Sequence, residues 1–287
     1  MILLLSSRPK VLKEYFGQNN IEYIYATKEE FKTESFYTNI AKIKNKIKSA
    51  IVYNFGHIIN SKWLQLFPFI NYHFSLLPKY RGATPIPATI LNQDKFTGIT
   101  CQHIVEELDA GNIICQKKYK RPFHMTAGEL FDWLENKLPH ITQEILNNRL
   151  YETPGVPQGN EFTLAPKDLL RISNAKLRFA EFTAKEIVAR ILAFNPEPLA
   201  RAIVLFNNGK QISEREFIIH KARIIKNNNR FLSTPLKPGS VLFIKKTGLV
   251  VGTLQGNVHI LQAGFSGKKV LSGLELLSLK GKIKKVL

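Results

Sequence analysis

Through the first 150 residues, short apolar runs alternate with stretches whose apolar positions recur every three or four residues. "MILLLSS" at the start reads as a buried strand, "PKVLKEYFGQN" (9–19) as a helix, "IEYIYA" (21–26) as a second strand and "SAIVYNF" (49–55) as a third. Such alternation predicts a parallel sheet with helices on both faces. Between the second and third strands, "TKEEFKTESFYTNIAKIKNK" reads as one helix. Thr27 opens it with Glu30 three residues on, a capping box in which each side chain satisfies a free amide of the first turn. The same signal recurs at Thr126/Glu129 and Thr183/Glu186. "FINYHF" (69–74) is the next strand. "TGITCQHIV" and "NIICQKKYKR" follow as two strands joined by "EELDAG", whose Asp109 and Gly111 are common turn formers. "TAGELFDWLENKLPHITQEILNN" reads as a helix that closes the unit near residue 148.

The pattern then changes. Residues 151–168, "YETPGVPQGNEFTLAPKD", mix Pro, Gly and polar residues without periodicity and read as a linker. A helix at "TAKEIVARILAF" puts Ile187, Ile191 and Phe194 on one face. Beyond it, "ARAIVLF", "REFIIHKARII", "GSVLFIK", "GLVVGT" and "NVHILQAGF" are short β-branched runs separated by Gly-bearing turns, which argues for a small antiparallel barrel.

Composition adds boundaries to this outline. At 287 residues the chain accommodates one large domain or two unequal ones, each with a full hydrophobic core. It carries no apolar run of membrane-spanning length, and the opening segment is too short and lacks the charged start of a secretory leader, so a cytoplasmic location is expected. Two cysteines, Cys101 and Cys115, are too few for a disulfide framework or a cysteine-ligated zinc site; they read as strand residues, and no metal is expected. The formal net charge of +19 is unevenly placed. Residues 201–287 hold 16 of the 41 Lys and Arg but 3 of the 22 Asp and Glu. A basic field concentrated on the barrel favours a polyanionic partner such as nucleic acid.

The candidate chemistry sits at the end of the fourth strand, where Asn71, His73 and Ser75 alternate along one face before the chain turns at Pro78. In open α/β sheets the carboxyl ends of strands are where ligands bind. An amide can donate to an oxygen that becomes negative, an imidazole can exchange a proton near neutral pH, and a partly buried carboxylate such as Asp109 can accept one. Those are the requirements of acyl transfer to an amine, with the nucleophile supplied by the substrate rather than by Ser75.

"NYHFSLLPKYRG" and "TGITCQHIVEELDAGNIICQ", in that order and spacing, resemble the Asn-x-His-x-Ser-Leu-Leu-Pro signature and the Thr-Gly-…-Leu-Asp-x-Gly block of the 10-formyltetrahydrofolate-dependent formyltransferases. "TLAPKDLLRI", "RILAFNPEP" and the segment from "LKPGSVLFIKK" to "GLELL" are similar to the linker and C-terminal barrel of its tRNA-directed branch, the methionyl-tRNA formyltransferases. The resemblance covers roughly residues 50–287. It implies a catalytic trio of Asn71, His73 and Asp109, a segment Ser75, Leu76, Leu77 and Pro78 flanking the cofactor, and 10-formyltetrahydrofolate as formyl donor. It also implies initiator tRNA charged with methionine as the partner. The chain departs from that pattern in its first 50 residues, which are about 25 short of it and carry no basic, Gly-rich insertion after the second strand. It departs also at His57, Val105, Asn112 and Glu197.

The expected fold class is therefore α/β: a Rossmann-like formyltransferase domain over 1–165, then a linker helix and a basic OB-like β-barrel over 166–287. The rival readings are an N-formyltransferase acting on a nucleotide-linked amino sugar, which fits the short first half, and a non-catalytic nucleic-acid-binding relative.

Overall fold

The computed structural model describes residues 1–225, 236–244 and 248–287. Lys245 and Lys246, at the end of the "GSVLFIK" run and the turn that follows it, lie outside the described residues. Two units are distinct: Met1–Thr89 with Asp94–Pro122 and Glu129–Lys167, and Ile90–Gln93 with Phe123–Gly128 and Asp168–Leu287.

The first unit is built on strands β1 (Ile2–Ser6), β2 (Tyr23–Ala26), β3 (Ser49–Tyr53), β4 (Phe69–His73), β5 (Phe96–His103) and β6 (Ile113–Lys120), in the spatial order β2-β1-β3-β4-β5-β6. The first four are parallel, as the alternation predicts; β5 and β6 run antiparallel at one side. Strands β1 and β3 are buried at every position, which is why they read as unbroken apolar runs rather than as alternating ones. Phe31, Ile40, Trp63 and Phe69 gather with Leu3, Leu5 and Val52 in one core cluster, and the rings of Phe31 and Trp63 stack at 4.3 Å.

Helix α1 (Lys10–Gln18) stands where it is expected. The single helix expected over 27–46 is instead two, α2 (Lys28–Phe31) and α3 (Glu34–Lys42). The Thr27/Glu30 box forms, but Thr33 then accepts from the Phe36 amide and starts a second helix. A hydroxyl that caps a new turn competes with continuation of the old one. Likewise the helix expected over 126–148 divides into α6 (Ala127–Glu135) and α7 (Leu138–Asn147), because Pro139 falls in the first turn of the second, where its missing amide costs nothing. Two short helices that the periodicity does not announce, α4 (Ser61–Leu64) and α5 (Pro85–Leu91), flank β4 in sequence.

In the second unit the Thr183/Glu186 box opens α8 (Ala184–Ala193), which buries Ile187 and Ile191 as expected. Strands β7 (Ala200–Asn207), β8 (Ile212–Ile225), β9 (Val241–Ile244), β10 (Gly248–Gly252), β11 (Asn257–Phe265), β12 (Leu271–Ser272) and β13 (Ile283–Val286) follow, in the order β13-β7-β8-β11-β10-β9, with β12 on β11. The Val286 amide donates to the Gly239 carbonyl and the Gly239 amide to the Gly252 carbonyl, so the sheet curls into a nearly closed antiparallel barrel. The inward positions of β7, Ala200, Ala202, Val204 and Phe206, alternate with outward ones, and they join Phe217, Val258 and Ile260 in the core. The closing strand β13 lies in the basic C-terminal "KIKKV", where Ile283 and Val286 point inward and Lys284 and Lys285 outward. No described helix is long and apolar enough to cross a membrane.

Candidate active site

Strand β4 ends in the middle of the sheet, between parallel β3 and antiparallel β5, and carries Asn71, Tyr72 and His73. Asn71 pairs across the ladder with Gln102, and His73 with Thr100. The alternation of a strand puts Asn71 and His73 on one face with Gln102 and Thr100, while Tyr72 and Cys101 face the other.

Asp109 is held over this face by the loop between β5 and β6. Its Oδ1 accepts from Asn71 Nδ2 and from Gln102 Nε2, both at 2.9 Å; its Oδ2 accepts from the Gly82 amide at 2.8 Å and lies 3.5 Å from His73 Nδ1. The three residues proposed from sequence are thus gathered into one cluster with the carboxylate at its centre. Asp109 sits at φ +50, in the left-handed region that Asp tolerates better than most non-glycine residues. Strained backbone of this kind persists where surrounding bonds over-determine it, and here three donors converge on the side chain.

His73 is almost fully buried. Its Nε2 is 2.8 Å from the Tyr80 carbonyl, an acceptor only, so Nε2 carries a proton and Nδ1 is the nitrogen turned toward Asp109. The 3.5 Å between Nδ1 and Oδ2 is too long for a strong direct bond. A polar atom of a ligand can engage both.

Ser75, Leu76, Leu77 and Pro78 leave the strand as a pinned segment. Ser75 Oγ donates to the Lys79 carbonyl at 2.6 Å, Thr100 Oγ1 donates to the Ser75 carbonyl at 2.7 Å, and Gln116 Nε2 donates to the Leu77 carbonyl at 2.9 Å. Ser75 and Leu77 are buried, whereas Leu76 and Pro78 remain partly exposed. Gly98 explains the glycine of "TGIT": a Cβ there would overlap the Leu76 side chain.

The sequence reading missed four contributors. Gln102 was an undistinguished strand residue, yet it holds Asp109 directly. Gly82 supplies an amide to Asp109 from φ +117, and a Cβ on it would lie 2.6 Å from the Ala165 carbonyl. The segment that read as a linker is instead a strap across the site. The Arg81 amide donates to the Thr163 carbonyl at 2.8 Å, the Ala165 amide to the Arg81 carbonyl at 2.7 Å, and the Tyr80 amide to Thr163 Oγ1 at 2.9 Å. Gln158, within that strap, reaches both Gln102 and the backbone of the Asp109 loop. No periodicity marks such a segment, because its bonds, to backbone and side chain alike, run from an irregular stretch to residues far away in sequence.

A Rossmann-like sheet bearing an amide and an imidazole at the end of a central strand, with a carboxylate held over them by a loop, joined in one chain to an antiparallel barrel, is the build of an enzyme of formyl transfer. The chain belongs to the formyl transferase family: residues 1–148 match the formyl transferase model and residues 170–281 that of the formyl transferase C-terminal domain. A methionyl-tRNA formyltransferase of Borrelia duttonii is 33% identical over 239 residues, which is 80% of this chain and 73% of that one. One of Borreliella afzelii is 31% identical over 280 residues, 94% of this chain and 84% of that one.

Among solved structures, HypX from Aquifex aeolicus in complex with tetrahydrofolic acid aligns over 98% of this chain with a TM-score of 0.71 at 19% identity; this chain spans about half of it, 48%. The methionyl-tRNA formyltransferase of Clostridium thermocellum aligns over 79% of this chain and 94% of its own, with a TM-score of 0.62 at 19% identity. The sugar 3N-formyl transferase WlaRD aligns over 93% and 98%, with a TM-score of 0.62 at 17% identity. Likeness at these identities concerns the fold.

Proposed function

We propose that the protein transfers a formyl group from 10-formyltetrahydrofolate to the methionyl amine of initiator tRNA. The observation that carries the acceptor is the match to methionyl-tRNA formyltransferases over 94% of this chain, which takes in the barrel as well as the sheet. The proposed division of labour puts catalysis in residues 1–165 and acceptor binding on the basic residues of 166–287.

Residues on two loops fit a folate carrier. Ile58, Val105 and Leu108 leave large apolar side chains in solvent, while their neighbours Phe55, Ile59 and Ile104 pack in one cluster. Uncovered apolar surface of this kind suits a flat heteroaromatic ring. Leu76 and Pro78, the partly exposed members of the pinned segment, would complete the binding wall, with buried Ser75 and Leu77 fixing its path. The carrier supplies an activated formyl carbon.

The chain's own residues would do the rest. Asp109, fixed by three donors, takes the proton leaving the acceptor nitrogen. The second Nδ2 proton of Asn71, and a proton on His73 Nδ1, donate to the oxygen of the group in transfer, where negative charge develops. His73 Nε2 stays bound to the Tyr80 carbonyl and holds the ring in orientation.

A second reading is favoured by one feature of this chain. Residues 27–48, which connect β2 to β3, contain little beyond α2 and α3, and a short connection there suits a compact acceptor such as a nucleotide-linked amino sugar. Formylation with 10-formyltetrahydrofolate, run in parallel on charged initiator tRNA and on a panel of nucleotide amino sugars, separates the two. Turnover of a sugar but not of the tRNA overturns the first reading, and turnover of neither overturns both.

A further inference from the structure

Gln158 stands in the irregular strap, 49 residues beyond Asp109 in sequence, and its amide is the middle of an oriented hydrogen-bond chain. Arg81 Nε donates to Gln158 Oε1 at 3.1 Å. A guanidinium only donates, so the oxygen of this amide must face Arg81 and the nitrogen must face away. Gln158 Nε2 lies 2.9 Å from Gln102 Oε1 and 2.8 Å from each of the Asp109 and Gly111 carbonyls, so two protons are shared among three oxygens. Because Gln102 Oε1 is held by Gln158, Gln102 Nε2 is turned to Asp109 Oδ1 at 2.9 Å. The chain runs from a cation to a carboxylate, and every member is oriented by the one before it.

The setting favours strength. The Arg81 side chain is almost fully buried; its Nη1 lies 3.3 Å from Glu107 Oε1 and its guanidinium rests 4.5 Å from the Phe162 ring centroid. Gln102 is 1% exposed. Hydrogen bonds in such surroundings polarise one another along a chain, and a bond to an ionised acceptor is about twice as strong as a neutral one. Without Gln158 the Gln102 amide can turn over and present its oxygen to Asp109. That would replace attraction by repulsion at the oxygen shared with Asn71.

We infer that Gln158, acting through Gln102, is a positioning residue that fixes the Asp109 carboxylate for proton transfer, so that the strap forms part of the catalytic apparatus. The inference rests on the proposed role of Asp109. Arg81 supplies the orientation at the far end of the relay; Val156, whose backbone pairs with Ile113, anchors the strap beside it.

The test measures kcat at saturating 10-formyltetrahydrofolate with the acceptor that the parallel assay identifies. The proteins are wild type, Gln158→Met, Gln102→Met, the double variant, Asp109→Asn and Asp109→Asn with Gln158→Met, each checked by thermal melting. Methionine keeps the length of glutamine and removes its hydrogen bonds. Gln158→Met is expected to lower kcat about ten-fold, the loss of one charge-assisted bond. The double variant should be no slower than the slower single variant by more than about two-fold, since both break one relay. In the Asp109→Asn background, Gln158→Met should change kcat by less than about two-fold. A residue that only supports the fold gives multiplicative losses and slows Asp109→Asn as much as wild type; either result overturns the inference, as does a wild-type rate in Gln158→Met. If Gln158→Met does not fold, Gln102→Met breaks the relay from its other end, and a wild-type rate there overturns it equally. A fast Asp109→Asn enzyme instead overturns the catalytic reading of Asp109 itself.

Discussion

Replacing Asp109 by Asn is the most informative single change, because the structure separates its effect on chemistry from its effect on stability. Asn tolerates the φ of +50 as Asp does, so the backbone is not disturbed; Ala would add strain of its own. The carboxylate accepts three hydrogen bonds, two on Oδ1 from Asn71 and Gln102 and one on Oδ2 from Gly82. An amide must place its nitrogen on one side. The Gly82 side costs least, since one bond is lost there rather than two, and the lost bond leaves two N–H groups facing each other. That is worth about 1–3 kcal/mol of stability, measurable as a lower urea midpoint. Chemistry loses more. Without a group to take the proton, kcat is expected to fall at least ~10²-fold, equivalent to about 2.7 kcal/mol of barrier. Single-turnover formylation, run beside urea melts of the same preparation, reads both. A variant that loses stability by the stated amount but keeps kcat within about three-fold of wild type would refute the assignment, because the melt proves that the carboxylate's bonds were broken while turnover did not notice.

Three further outcomes follow from other parts of the chain. Gly82→Ala should destabilise the protein by at least ~1–2 kcal/mol in urea melts and slow formyl transfer, because φ +117 suits glycine and the added Cβ would meet the Ala165 carbonyl at 2.6 Å; an unchanged midpoint argues against the strap as drawn. Burial pushes the Glu135 carboxyl up, only partly offset by Arg8, and its Oε1 has no hydrogen-bond partner among the described residues. The folded state therefore binds this proton more tightly than the unfolded chain, so stability due to this group declines as pH rises from the ordinary carboxylate range through the raised folded value. Glu135→Gln should flatten that decline in melts taken across the range, and an unaltered slope sinks the assignment. Finally, binding of initiator-type tRNA between about 50 and 200 mM salt should give a log–log slope steeper than about two, and changing Lys245, Lys246, Lys268 and Lys269 to Glu should lower it. Lys269 is ion-paired with Glu275 at 2.7 Å, so the other three are expected to contribute more of the slope; a shallow slope or an indifferent variant removes tRNA as the acceptor.

The formyl transfer chemistry and the architecture were legible because both are written locally. Short apolar or β-branched runs mark β1, β3 and β7, and the threonine–glutamate boxes at Thr27 and Thr183 announce α2 and α8; each depends on neighbours within a few residues. The Asn-x-His spacing guaranteed that Asn71 and His73 share a face, since a strand repeats every two residues. Where the reading failed, a nearby signal was outweighed by one just as local: Thr33 and Pro139 each divided a helix whose periodicity ran on without interruption. What only the tertiary structure decided lies across long separations. Asp109 meets Asn71 over 38 residues, Gln158 meets Gln102 over 56, and Thr163 meets Tyr80 over 83. None of these pairs has a sequence period, because in each an irregular segment is brought by the sheet against a residue far away along the chain. The sequence by itself proposed Asn71, His73 and Asp109 and determined that the first two share one strand face. The tertiary structure decided which of them touch and what holds them still, because those bonds join loop, strap and strand residues far apart in the chain, which no local pattern displays.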